Sequence, residues 1–290
     1  MSERPIIIGV DGTDMSTAAL RWAAREAEHR GVPLRIVHVL DWDWNSNRYD
    51  FGGTRFETAR RLAERVPASA ARTALDVAPG IGIETDVLIG NPAARLIDIE
   101  DADLLVVGHR GRGGFAGLLL GSVSQRAATH ASCPVVVVRG RADVAEGPIV
   151  AGVDDSDSAD AALETAFDAA ATAGCGLTVI RTYLPAAALY LAPIAATQVH
   201  SPEQDAEERD RLLAQVAPWR DKYPGVPVET LLSHDSAAAV LTGVSHSARL
   251  VIVGSHGHGA LAGTLLGSTG LQLLHHADCP VHIVRRRRQR

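Results

Sequence analysis

Short runs of branched apolar residues alternate with amphipathic stretches along this chain. The run from Pro5 to Val10 has no polar position, which is typical of a parallel strand buried on both faces. From Ser16 to Arg30, alanine and leucine recur at helical spacing until Gly31, which predicts an amphipathic helix. The first half continues in this way, with predicted strands at 34–40, 83–89, 104–107 and 135–139 and predicted helices from about 55 to beyond 66, at 92–100 and at 122–130.

The second half repeats this order, and the tripeptide Gly-Val-Asp that ends at Asp11 recurs ending at Asp154. Its predicted strands are 149–153, 177–183, 228–232, 250–253 and 281–285, and its predicted helices are 158–173, 202–223 and 236–247. We therefore predict two domains, 1–140 and 147–290, joined by a polar linker at 141–146. The alternation predicts an α/β fold of two tandem, open, parallel five-stranded sheets with helices on both faces.

One glycine-rich motif, G-x2-G-x9-G-S, lies between a strand and a helix in each half. Its positions are Gly108, Gly111, Gly121 and Ser122 in the first half and Gly254, Gly257, Gly267 and Ser268 in the second. Glycines let backbone N–H groups approach an anion closely, and the free amides at a helix N-terminus favour negative charge. The serine at the helix start can cap the helix or donate its hydroxyl to a phosphate oxygen. The motif therefore predicts a phosphate-binding loop in each half.

The spacing of this motif and its repetition resemble the ATP-binding loop of the universal stress protein family, over nearly the whole chain. The resemblance implies an adenine-nucleotide alpha-hydrolase-like sheet with strand order 3-2-1-4-5 and ATP as the ligand. It also implies that an aspartate at the end of the first strand, Asp11 or Asp154, contacts the nucleoside and that Val39 lines the adenine pocket. The remaining positions that it places beside the nucleotide are Gly12, His109, Val123 and Thr269. Magnesium can enter with ATP, because it binds through phosphates and a carboxylate.

Other interpretations of the same residues remain open. A Walker loop needs lysine beside its last glycine, and the only lysine is Lys222, so that interpretation fails. The segments beginning at Gly111 and Gly257 also fit G-x-G-x-x-A, the dinucleotide fingerprint, although the acidic residue that should follow is missing. Asp11 also fits an ordinary turn or cap, and the loops fit connections that bind nothing.

The second repeat departs from the first at several positions of its site. Asp155 stands where the first repeat has Gly12, which adds a carboxylate, and His256 and His258 replace two arginines, Arg110 and Arg112. Arg181-Thr182 replaces the segment around Val39, and His234-Asp235-Ser236 replaces Gly90-Asn91-Pro92. We therefore expect the second site to bind ATP more weakly than the first.

The composition places limits on the function. Of 290 residues, 46% are hydrophobic and 21% charged, as in a globular protein with a substantial core. No apolar run reaches the roughly 18 residues of a membrane span, and the first strand begins too early for a signal peptide, so we expect a cytoplasmic protein that does not bind membranes. The formal net charge of -6 argues against nucleic-acid binding. The histidine pairs His256-x-His258 and His275-His276 suggest a metal site, but a closed zinc site needs four ligands and no cysteine or acidic residue stands beside them, so we expect no metal site.

The sequence therefore predicts an ATP-binding tandem universal stress protein that acts as a nucleotide-responsive stress regulator, and not a fast enzyme. The alternatives are a slow ATPase, for which the first loop offers only His109 and two arginines, and a nucleotide-dependent oxidoreductase that uses the glycine loops. The apolar strands 135–138 and 281–284 are edges that invite pairing. We expect the halves to dock as an internal pseudo-dimer, the chain to form a homodimer, and a protein partner still to be identified.

Overall fold

A computed structural model describes residues 4–42, 54–112, 119–142, 146–184, 202–257 and 266–285. The described residues up to 142 form one compact unit by their contacts, and those from 146 onward form a second. Each unit contains five strands and four helices among the described residues, in the same order along the chain.

The first unit begins with a strand whose three isoleucines, Ile6, Ile7 and Ile8, are completely buried, as the unbroken apolar run predicts. Its elements are β1 (Ile6–Gly9), α1 (Asp14–Arg30), β2 (Leu34–Leu40), α2 (Thr54–Val77), β3 (Ile83–Ile89), α3 (Pro92–Ile97), β4 (Leu104–Gly108), α4 (Ser122–His130) and β5 (Val135–Val138).

The second unit repeats these elements at closely matching positions. They are β6 (Ile149–Val153), α5 (Asp157–Ala173), β7 (Leu177–Thr182), α6 (Pro202–Lys222), β8 (Val228–Ser233), α7 (Ala237–Val244), β9 (Leu250–Gly254), α8 (Ser268–His276) and β10 (Val281–Val284).

All the strands within each unit pair in parallel, and the predicted order is confirmed. In the first unit the order is β3-β2-β1-β4-β5, with Ile8 beside Ile36 on one side and Val106 on the other. In the second unit the same order appears as β8-β7-β6-β9-β10, with β6 between β7 and β9. The strand order therefore reverses between strands one and four of each sheet. A crevice opens there, at the carboxyl ends of these two strands.

Some predicted boundaries were wrong for local reasons. The helix predicted at 92–100 ends at Ile97, where the Asp98 N–H donates to the Ala94 carbonyl, and acidic side chains oppose the dipole at a helix C-terminus. The helix predicted at 236–247 ends at Val244, because the Ser245 and Ser247 hydroxyls bond to nearby backbone carbonyls. The second helix continues to Val77 with Pro67 in its interior.

Two of the cysteines lie in the interior. Cys133 and Cys279 are buried, while Cys175 is only partly buried. No helix within the described ranges is long and apolar enough to cross a membrane.

Candidate functional site

The structure brings the carboxylate after the first strand into contact with the glycine loop after the fourth. We call this region the first crevice: Asp11 to Thr13, residues 108–112 and the start of α4. The backbone N–H of Arg112 donates to Asp11 Oδ2 at 2.9 Å. The other carboxylate oxygen, Oδ1, accepts from the Thr13 N–H at 3.0 Å and the Thr13 hydroxyl at 2.7 Å. Asp11 is thus a turn residue and also the link between strand end and loop.

These hydrogen bonds determine the charge state of Asp11. Burial alone would raise its pKa, but hydrogen bonds from the Thr13 side chain and backbone, the Arg112 backbone and the Ser16 hydroxyl outweigh burial and hold the pKa below its ordinary value. The carboxylate is therefore ionised throughout the neutral range. It can still accept a hydrogen bond from a ribose hydroxyl or an amino group, since a carboxylate has about four acceptor positions.

The glycines of the motif are required where the loop approaches this carboxylate. A Cβ atom on Gly111 would lie 2.5 Å from Asp11 Oδ2, and one on Gly257 would lie 2.8 Å from Asp154 Oδ2. Gly12 has a φ of +81°, a backbone conformation that other residues rarely adopt, and the Arg112 guanidinium lies 3.1 Å from where its Cβ would be. Arg112 therefore extends over the mouth of the first crevice.

The last glycine of each motif closes the loop. The Gly121 N–H donates to the His109 carbonyl at 2.8 Å, and the Gly267 N–H donates to the Ser255 carbonyl at 2.8 Å. Both glycines are N-caps without a side-chain cap. The amides of the first helical turn, which include those of Val123 and Thr269, are therefore available to an anion.

The structure decides one of the two roles that the sequence allows for the serines that follow these glycines. Ser122 and Ser268 are the first helical residues and do not cap their helices, so the expectation that they cap was wrong. The capping position requires an extended backbone, and Gly121 and Gly267 occupy it. Donation of the serine hydroxyls to a phosphate stays a prediction.

His109, which the resemblance placed beside the nucleotide, is half-buried at the start of the first loop. Burial, together with the positive charges of Arg139 and Arg110, lowers its pKa, although a hydrogen bond involving the Val138 backbone opposes this shift. His109 is therefore neutral at physiological pH, so the loop's fixed positive charges are those of its arginines.

The second unit contains a cavity of about 450 Å³ at the corresponding place, which we call the second crevice. Its lining includes every residue predicted for this site: Asp154, Gly254, Gly257, Gly267, Ser268 and Thr269. The other lining residues, which the sequence analysis did not single out for the site, include Ser158, Ala237, Leu241 and Leu266. A volume of this size is typical of small-molecule sites.

Hydroxyl groups link the two sides of the second crevice. Asp154 Oδ1 accepts from the Ser156 N–H at 3.0 Å and from the Ser156 hydroxyl. The Ser158 hydroxyl lies 2.9 Å from that of Ser156 and donates to the His256 carbonyl. The Ser158 hydroxyl therefore holds the second glycine loop through a backbone carbonyl group. The first unit has Met15 at the corresponding position.

Asp155, the extra carboxylate of the second repeat, does not add an uncompensated charge to the crevice. It pairs with the guanidinium of Arg181, which is buried and also donates to Glu208 at 2.8 Å. Burial alone would lower the Arg181 pKa, but the hydrogen bonds and charges of Asp155 and Glu208 raise it. The carboxylate that Asp155 adds is therefore paired with a cation. Local sequence pattern does not reveal this partner, because Arg181 lies on a strand distant in sequence.

The positions predicted to line the adenine pocket differ in what surrounds them. Val39 is buried near the end of β2. Strand register makes Thr182 its counterpart, and Thr182 lines the second crevice. Trp42 packs edge-on against Phe56 with ring centres 5.4 Å apart, so it covers a core edge. Trp44 and His258 lie outside the described residues.

No group of three histidine, cysteine or acidic residues within the described ranges is arranged to hold a metal ion. The paired histidines His275 and His276 have ring centres 6.0 Å apart at the end of α8.

The family match, like the internal repeat, divides the chain into two halves. The model of the universal stress protein family matches residues 3–139 and 147–285. A universal stress protein of Mycobacterium tuberculosis is 32% identical over 290 residues, covering 97% of this chain and 96% of that protein. The crystal structure of a universal stress protein from Archaeoglobus fulgidus is similar in fold, with a TM-score of 0.72, 21% identity and coverage of 99% and 100% of the two chains. Another from Archaeoglobus fulgidus, solved in complex with dAMP, is 27% identical and covers 47% of this chain and 97% of its own, with a TM-score of 0.36. The dAMP is an observation on that protein alone.

Proposed function

This chain belongs to the universal stress protein family, and from its two crevices we propose that it binds adenine nucleotides and responds to them as a regulator. ATP is the proposed ligand of the first crevice, with magnesium bound through the phosphates. The response is a change in assembly or in contact with a protein partner. Fast catalysis is not part of this proposal.

One observation carries the proposal: the cavity of the second unit lies where strand order reverses and is lined by all six residues that the glycine motif and its aspartate predict there. The first unit supports it, because Asp11 and the loop amide of Arg112 meet at the same place in the fold. In both units the free amides of a helix N-terminus face this place, which suits a phosphate group.

Dinucleotide chemistry is separated from this proposal by identifying the bound small molecule. Native protein is purified without added nucleotide, denatured, and its released small molecules are identified by mass spectrometry. ATP or ADP supports the proposal, NAD(P) or flavin would favour an oxidoreductase, and the absence of any nucleotide from a protein that also fails to bind added ATP refutes nucleotide binding.

Single-site variants test the location. In Gly121→Val the new side chain meets the loop, because even a Cβ there would lie 3.3 Å from the His109 carbonyl oxygen and 3.4 Å from Arg110 Cα. Calorimetric titration with an adenine nucleotide should lose one site in this variant and the other site in Gly267→Val. A matched control is Gly80→Val, since a Cβ on Gly80 contacts nothing within 4 Å. Unchanged stoichiometry in both loop variants would refute the location.

A further inference from the structure

The two crevices differ in the positive charge that they offer to a ligand. In the first loop, two arginines stand at positions 110 and 112, and the guanidinium of Arg112 lies over Gly12 at the crevice mouth. In the second loop, the corresponding positions are His256 and His258. Arginine keeps its charge at any working pH and binds phosphate oxygens through two parallel hydrogen bonds, and neither property holds for histidine.

The lining of the second crevice contains no lysine or arginine among its described residues. Asp154 contributes a carboxylate, and His256 is the only basic side chain of the described lining. The sequence of the rest of the loop, 258–265, is HGALAGTL, which also has no lysine or arginine. A polyphosphate placed here would meet a carboxylate without a fixed cation to balance it, which is unfavourable where water is partly excluded.

Arg181, the arginine joined to this region through Asp155, is not available to a ligand. Its side chain is 4% exposed and donates to Asp155 and Glu208, and its third contact is with the Gln215 side chain at 3.4 Å. Turning it toward the crevice would take the arginine away from Asp155 and would leave Glu208, which is only 16% exposed, with the exposed Arg211 as its cation. Breaking a buried ion pair on one side is strongly unfavourable.

The remaining lining suits an uncharged nucleoside. Apolar side chains provide a surface for a base: Val153, Ile180, Leu241, Val253 and Leu266. Asp154 can accept from ribose hydroxyls, and the hydroxyls of Ser268 and Thr269 lie at the start of α8. The free amides there can neutralise part of the charge of one phosphate group.

We propose that the second crevice selects adenosine or its monophosphate over ATP, whereas the first crevice selects ATP. The proposal rests on the proposed function, because it assumes that both crevices bind adenine compounds. The first unit would then bind ATP, and the second unit would bind adenosine or AMP.

The test titrates ATP, AMP and adenosine into Gly121→Val, in which only the second site remains, and into Gly267→Val, in which only the first remains. In Gly121→Val, AMP and adenosine should bind about tenfold more tightly than ATP, because the additional phosphate groups of ATP meet the Asp154 carboxylate without a fixed cation to balance their charge. In Gly267→Val, the order should be reversed.

A rescue variant identifies the residue that sets the preference. Adding His256→Arg to Gly121→Val should raise ATP affinity about tenfold relative to adenosine affinity, because only the phosphates gain a charge-assisted contact from the arginine. Arg110→His in Gly267→Val is the matched reverse change and should weaken ATP binding selectively. ATP binding to Gly121→Val at least as tightly as AMP would overturn the proposal.

The unaltered chain gives a second measurement that does not depend on the glycine variants. ATP should bind tightly to one site per chain, and AMP should bind to two. Two equal ATP sites would overturn the proposed selectivity while leaving nucleotide binding intact, whereas no binding of any adenine compound would overturn both.

Discussion

The contact between Asp11 and the first glycine loop can be tested by changing two atoms. In Asp11→Asn, one carboxylate oxygen becomes an NH2 group. If the amide oxygen keeps the two hydrogen bonds from Thr13, the NH2 faces the Arg112 N–H, which now has no acceptor. The substitution therefore removes the bond between loop and strand end while keeping the shape of the side chain.

The expected cost follows from the kind of bond that is lost. A hydrogen bond to a charged group contributes about 1.5–3 kcal/mol. Asp11 is only partly buried, so we expect the lower end, which corresponds to roughly tenfold more frequent opening of the loop. Hydrogen exchange of a peptide spanning residues 108–112, measured by mass spectrometry without ligand, should accelerate by about this factor.

The lowered pKa of Asp11 predicts how the effect of Asp11→Asn changes with pH. Because the folded-state pKa of Asp11 is lowered, its stabilising effect is fully present above the unfolded value of about 3.9 and is lost as pH falls through the folded value. The difference between the unaltered chain and Asp11→Asn should thus be constant near neutral pH and shrink in strong acid. Asp154→Asn, in the other unit, should leave exchange of 108–112 unchanged. Equal exchange in the unaltered chain and Asp11→Asn would refute the role of this contact.

Three further predictions concern stability and assembly. Arg181→Met should destabilise the second unit by roughly 3 kcal/mol in urea, because Glu208 then keeps only the exposed Arg211 as its cation, and adding Glu208→Gln should restore part of the loss; no recovery would contradict the ion-pair account. The pKa of His109 is lowered, so its contribution to stability should be lost as pH falls below about 6.5, and His109→Ser should flatten that loss when urea midpoints at pH 7.5 and 5.5 are compared. Sedimentation at several concentrations should show a homodimer, and a monomer at every concentration would contradict the edge-pairing argument.

The sequence predicted the elements and their order because the signals are local or repeated. Continuous apolar runs, helical spacing and two copies of one motif located the strands, helices and loops. The strand order came from the family resemblance, since hydrophobic pattern does not state which strands are neighbours. The glycine motif located the loops beside Asp11 and Asp154 without showing that a loop amide binds the Asp11 carboxylate directly.

The parts that sequence reasoning missed depend on contacts between distant positions. Arg181 and Glu208 lie on a strand and a helix that pattern alone does not bring together, so the charge of Asp155 was counted without its partner. Ser158 gave a weaker signal: it stands in the first turn of α5, where a hydroxyl can reach a neighbouring backbone carbonyl. By contrast, the correspondence between Thr182 and Val39 was visible in the sequence, and strand register agrees with it.

The left-handed backbone at Gly12 has a consequence for how the two repeats could have diverged from a common ancestor. The second repeat has aspartate at this position, and no non-glycine residue of the described chain has a positive φ, so the backbone there must have changed with the side chain. If the ancestor resembled the first repeat, gaining Arg181 first would have buried a cation with Glu208 as its carboxylate partner, so this order requires Glu208 to be in place. Gaining Asp155 first would have strained one residue by roughly 1–2 kcal/mol, with the carboxylate still in contact with water. The order of the two substitutions therefore matters: with Glu208 in place, arginine first avoids the strain that aspartate first would cause, and the stabilities of variants carrying only one of the two substitutions would test this order.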